Sequence, residues 1–149
     1  MVLKWNGSER VPAPQGTVWE FINDPGKVAG CMPDLIEADI MGPRQVHAVV
    51  HVRVGLMRTR FRYNVELVPH ESCERMVVKI GGGGFGNALE LTAGANLVDN
   101  GDATTTLQWE GAVTMSGPIA LVGWPVVEIK AQRVIRKTFA NVRERLGSP

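Results

Sequence analysis

The chain has 149 residues, 44% of them hydrophobic and 21% charged, with a formal net charge of +1. That length allows one domain with a real core, the composition is ordinary for a globular chain, and no global field draws it to nucleic acid. No run of about 18 apolar residues occurs, so no spanning helix is expected. Met1-Val-Leu-Lys4-Trp5 leads straight into polar sequence, so no leader peptide is expected either. The reading is a single cytoplasmic domain over residues 1–149. Cys31 and Cys73 lie in no CxxC pattern; free thiols are a simpler reading than one disulfide.

Val2–Val11 reads as a strand, stopped by Pro12-Ala13-Pro14 because proline cannot donate to a ladder. A short amphipathic helix then carries Val18, Trp19, Phe21 and Ile22. Asp24-Pro25 ends it, and a second helical piece over Gly26–Met32 runs into Pro33-Asp34. After Pro33 the apolar period becomes two. Asp34–Met41 is the second strand. Val46, Ala48, Val50, Val52 and Val54 form an inner row, with His47, His51 and Arg53 outside. Gly55-Leu56-Met57 reads as a hairpin. Phe61, Tyr63, Val65 and Leu67 then face inward against Arg58, Arg60, Arg62, Asn64 and Glu66.

Met76, Val78 and Ile80 continue the inner set. Gly81–Gly84 reads as a flexible hairpin or bulge, or as a mobile lip gating a cavity. Leu89, Leu91, Ala93, Ala95 and Leu97 follow, then a turn at Asp99–Asp102. The last inner row is Thr105, Leu107, Trp109, Gly111, Val113 and Met115. About seven strands with short connections imply an antiparallel meander. A short turn over Gly117–Val122 precedes a helix from Trp124 to Leu146. Its apolar stripe is Trp124, Val127, Ala131, Ile135, Phe139, Val142 and Leu146. One apolar sheet face and one apolar helix stripe must cover each other. The small inner residues Ala48, Ala93, Ala95 and Gly111 fit either close packing or a cavity.

Catalytic patterns are weak. Gly81–Gly86 formally contains GxGxxG, but a strand follows where a dinucleotide site needs a helix N-terminus. His47 and His51 are about 13 Å apart along a strand, too far for one zinc. Cys31 reads as a small buried residue with no histidine to activate it. GxSxG and HExxH do not occur, and Glu66, Glu90 and Glu110 fall on outer positions. The inner polar groups are Tyr63, Trp109, Thr59 and Thr105, suited to orienting a ligand. The last helix carries Lys130, Arg133, Arg136, Lys137, Arg143 and Arg145 against Glu128 and Glu144, six positive and two negative, a local +4. That face is either solvated or docks to anionic lipid or an acidic protein; it has no interleaved aromatic platform for nucleic acid.

Several motifs recur in a particular order: Val11-Pro-Ala-Pro-Gln-Gly-Thr-Val-Trp19, Asn23-Asp-Pro25, Cys31-Met-Pro33, Val52-Arg-Val-Gly55 leading into Arg60-Phe61, the glycine run, and Phe139-Ala-Asn141-Val in the terminal helix. In that order they resemble the carbon monoxide dehydrogenase CoxG family of the START/birch-pollen-allergen-like, or SRPBCC, superfamily. The family usually has Pro-Gly where this chain has Pro33-Asp34. The resemblance implies an α+β helix-grip fold: a curved seven-stranded antiparallel sheet around the C-terminal helix, two short helices after the first strand, and an apolar cavity between. It implies a non-catalytic binding or carrier module for a lipid, isoprenoid or quinone-like molecule, with no cofactor. It also implies an accessory role to a molybdenum hydroxylase. The expected lining is Phe61, Tyr63, Leu89, Trp109, Met115, Trp124, Val127 and Ala131, with Tyr63 and Trp109 orienting a polar group on the ligand. Monomer and homodimer both stay open, as does peripheral contact with an anionic membrane through the basic helix. A cyclase, dehydratase or hydrolase on the same fold, and an assembly module with a filled cavity, are the alternatives.

Overall fold

Alternating apolar positions put the middle of the chain into strands, and helical spacing puts its end into one long helix. A computed structural model of the chain describes residues 1–70, 72 and 74–147. Cys73 and Pro149 lie outside the described residues. In chain order the elements are β1 (Val2–Val11), α1 (Gln15–Ile22), α2 (Pro25–Gly30), β2 (Leu35–Gly42), β3 (Gln45–Val54), β4 (Met57–Pro69), β5 (Arg75–Gly84), β6 (Asn87–Asp99), β7 (Thr105–Ser116), α3 (Pro118–Leu121) and α4 (Trp124–Gly147). The strands form one curved seven-stranded sheet in the order β1-β7-β6-β5-β4-β3-β2, so β2 to β7 is a meander and β1 closes its β7 edge. This is the helix-grip arrangement the sequence leads one to expect.

The link from β1 to β2 is fixed by local chemistry. The Thr105 hydroxyl, fully buried, donates to the Ala13 carbonyl at 2.8 Å and holds the proline segment against β7. Asp24 caps α2 by accepting the Lys27 N–H at 3.2 Å, with Pro25 in the first helical position. Asp34 then takes φ of 59°, the left-handed conformation that glycine adopts most readily. Aspartate is one of the few other residues that tolerates it. A Pro-Asp pair therefore makes the same turn as Pro-Gly.

Gly81–Gly84 is neither hairpin nor lip. The run is the end of β5, paired to β4 from Gly81↔Asn64 to Gly83↔Arg62, and to β6 from Gly81↔Glu90 to Gly84↔Asn87. The turn is Phe85-Gly86. Gly82 and Gly83 have φ of 149° and 154°, where an L side chain is strained. A Cβ on Gly82 would fall on the Arg62 carbonyl oxygen, and one on Gly83 on that of Asn87. The glycines thus let three strands curl tightly against one another.

The buried residues gather at the two ends of the sheet. One cluster joins Val50, Val54, Phe61, Val113, Met115, Ile119 and Val127. The other joins Val11, Ala13, Val18, Leu97 and Leu107 beneath α1. Helix α4 spans the distance between them and is fastened at the β1 edge. The Trp5 indole N–H donates to Glu128 Oε1 at 2.9 Å, and Arg143 pairs with Glu9. Its far end is tied to α2 by the Asn141 amide donating to the Cys31 carbonyl at 3.0 Å.

Candidate functional site

Between these two clusters the sheet curves away from α4 and leaves a cavity of about 420 Å³ with overwhelmingly apolar walls. That volume lies in the range of small-molecule sites. The walls come from the inner rows of β3 to β7, from α4, and from α1 and α2.

Seven of the eight expected lining residues stand on this wall: Phe61, Tyr63, Leu89, Trp109, Met115, Val127 and Ala131. Trp124 does not; it is 62% exposed on the outside of the molecule. It belongs to the stripe by spacing, but it opens α4, and helical side chains lean toward the N-terminus. Its indole therefore projects past the end of the grip. His51, expected outside, is half-buried and borders the cavity. Pairing of β2 to β3 ends at Leu35↔Val50, so β3 beyond that point is an uncovered edge. The His51 N–H donates to the Asp34 carbonyl at 2.9 Å, joining the two at the rim.

Trp5, Phe21, Ile22, Cys31 and Met32 also line the space. Trp5 was available from its alternation with Lys4 and Asn6. The α1 and α2 residues were legible as helix faces, with nothing in their spacing to say that those faces look into a cavity. Cys31 is buried, and desolvation pushes its thiol up despite the opposing charge of Arg145. It is a wall residue kept as the neutral thiol.

Polar groups are few. Tyr63 stands edge-on to Phe61, ring centroids 5.8 Å apart at 84°. Burial pushes its phenol well above the ordinary value, so it stays a neutral donor. No hydrogen-bond partner for its hydroxyl is found among the described residues. Trp109 packs on Phe139 with centroids 5.4 Å apart. Its indole N–H is buried without a partner and lies toward Gly7, where an added Cβ would sit 3.1 Å from it. It reaches a ligand only if the ring turns, so Tyr63 is the polar handle within reach. Thr59, which does not line the cavity, has a buried hydroxyl without a partner as well. Two carboxylates border the space. Asp34 is exposed at the rim, and Glu110 is held on the outer surface by Arg75. Among the described residues no cluster of three metal-ligating side chains occurs, and no helix is long and apolar enough to cross a membrane.

The sequence profile of the family described as carbon monoxide dehydrogenase subunit CoxG matches residues 7–147. Comparison with curated proteins by sequence gives no match. Among solved structures, a conserved protein from Geobacillus kaustophilus superposes with a TM-score of 0.87 at 16% identity, covering 97% of this chain and 95% of that one. A START superfamily protein from Mycobacterium smegmatis gives 0.72 at 16% identity, covering 97% of each chain. The Zhui aromatase/cyclase from a Streptomyces species gives 0.70 at 14% identity, covering 99% of this chain and 94% of that one. At such identities the likeness is one of fold.

Proposed function

The chain belongs to the CoxG family of carbon monoxide dehydrogenase, and from that premise we propose that it is a non-catalytic carrier for an apolar small molecule with one polar end. The observation that carries this reading is the cavity itself: about 420 Å³, overwhelmingly apolar, with a single neutral phenol, Tyr63, placed to bond a ligand. Burying a lipid, isoprenoid or quinone-like skeleton there gains roughly 25 cal/mol per Å² of apolar surface. One donor fits a carbonyl or hydroxyl on that skeleton. The family name supports an accessory role to a molybdenum hydroxylase of the carbon monoxide dehydrogenase type. On this reading the protein works in the cytoplasm and meets the inner membrane face peripherally.

Aromatase/cyclases share the fold, but general acid–base chemistry needs a carboxylate or imidazole held inside. Here Asp34 and His51 stand at the rim and Glu110 outside it, which favours carriage over catalysis.

Solvent extraction of the purified protein followed by mass spectrometry should release one class of apolar molecule in near-stoichiometric amount. The paired test is Ala131→Leu. In a closed core the added carbons cost about 1–3 kcal/mol. In a cavity they fill empty space, so stability should hold or rise while the extracted molecule disappears. Loss of stability with unchanged cargo would sink the carrier reading.

A further inference from the structure

The hairpin end of the molecule carries an apolar surface that folding does not require. Leu56, at the tip of the β3–β4 hairpin, is wholly exposed, and Phe85, at the β5–β6 turn, is 83% exposed. Leu121 in α3 and Trp124 at the start of α4 are 87% and 62% exposed. Two-residue turns ordinarily take glycine, asparagine or aspartate. Phe85 is the opposite case: a bulky aromatic held at φ of 52°, a conformation that costs roughly 1–3 kcal/mol outside glycine. A strained backbone that points an aromatic ring into water gains nothing for the fold.

These tips form one surface. Asn87, buried, accepts the Ile119 N–H at 2.6 Å and donates to the Gly84 carbonyl at 2.9 Å and to Met57 Sδ at 3.7 Å. One amide thus ties α3, the β5–β6 turn and the β3–β4 hairpin together. A Cβ at Gly55 would meet Val122 at 3.1 Å, which places the Leu56 tip beside the start of α4. There the helix is apolar all round, with Val127 buried inside and Val126 and Ile129 exposed outside. A helix of that kind expects cover.

The charge beside this crown is positive. Arg53 and Arg58 face each other across the ladder one step below Leu56, and Arg60 follows opposite His51. All three are exposed, and none has an acidic partner among the described residues. Like charges placed opposite one another destabilise a hairpin unless an anion lies nearby. Separate convex tips, aromatic and aliphatic, bordered by unpaired arginines match the boundary between the acyl region and anionic headgroups. A flat protein partner would meet four projecting side chains with no groove to receive them.

We propose that this crown seats the protein on an anionic lipid bilayer, with Leu56, Phe85, Leu121 and Trp124 entering the acyl boundary and Arg53, Arg58 and Arg60 meeting phosphate headgroups. The contact surface is therefore the hairpin end, and the basic face of α4 is not needed for it. Asp34 and His51 lie on the same end of the sheet, so docking brings the cavity rim to the membrane. The inference does not depend on what the cavity holds. A chain that binds vesicles and carries no cargo keeps the docking surface and loses the carrier reading.

The test is flotation of the full chain with vesicles of phosphatidylcholine containing about 30% phosphatidylglycerol, an anionic fraction that gives a strong surface potential, at low and at high salt. The wild type should float at low salt. Leu56→Ser with Phe85→Ser should lower the partition coefficient at least about tenfold, with an unchanged melting curve because both side chains are exposed. Leu121→Ser, on a different element, should weaken binding independently. Arg53→Gln with Arg58→Gln should weaken it severalfold and flatten the salt dependence. Brominated acyl chains should quench fluorescence in the wild type and not in Trp124→Leu. A wild type that stays unbound, or an apolar double variant that floats as well as the wild type, overturns the proposal. So does sedimentation showing a dimer that the double variant dissociates, which would assign the crown to a second copy of the chain.

Discussion

Gly7→Ala tests the wall from behind. Gly7 lies directly across the ladder from Trp109. A Cβ there would stand 2.8 Å from Trp109 Cζ2, 3.0 Å from Cε2 and 3.1 Å from Nε1. Carbon contacts settle at about 3.5–4.0 Å, so the ring must retreat by about 0.7 Å. Phe139, with its centroid 5.4 Å away, stands on the other side. The retreat is then a slide into the cavity. Overpacking of this kind costs about 1–3 kcal/mol. Gly7 has no left-handed backbone, so alanine also removes unfolded-state freedom and returns about 0.4–1 kcal/mol. The balance is a loss of about 1 kcal/mol, or about 2–4 °C in a chain of this size. Thermal melts and titration with an apolar fluorescent probe should show a small fall in Tm together with a severalfold fall in probe affinity. Equal or higher Tm with unchanged affinity would show that the ring does not rest on Gly7, and the position of the indole N–H would have to be abandoned with it.

Tyr63 is the chain's one tyrosine, so absorbance of the tyrosinate reports it alone. Its folded pKa is raised, so the stability it contributes is present below the ordinary value near 10 and is lost as pH rises beyond it. A titration should begin only well above that value, and Tyr63→Phe should flatten the alkaline loss of stability; a midpoint near 10 in the folded protein would refute the buried placement. Asn87→Ala should cost about 1–3 kcal/mol, because the Ile119 N–H is left buried without its acceptor. Hydrogen exchange should then rise at Ile119 and around Gly84 together; a rise at one alone would argue against a shared tie.

Most of the sheet was legible because inner rows such as Phe61-Tyr63-Val65-Leu67 alternate without a break, and the stripe from Val127 to Leu146 keeps one helical face. Three features were not. The glycine run has no side chains, so periodicity says nothing about it, and its pairing is visible only once β4 and β6 lie on either side. His51 follows the alternation, yet where β2 ends, outside and rim become the same place. Trp124 fits the stripe by spacing and leaves it because a first-turn side chain leans off the helix end. Alternation assigns a face; it does not say where a neighbouring element stops.

The glycine run carries a further consequence, one of tolerance to mutation. At Gly82, Gly83 and Gly84 any side chain would meet a backbone carbonyl of β4 or β6, and carbonyls paired in a ladder have nowhere to go. Drift elsewhere in the wall can exchange one apolar group for another and reshape the space within. Here the sequence is held at a single letter. The stretch that reads most like slack is where the chain has least room to vary.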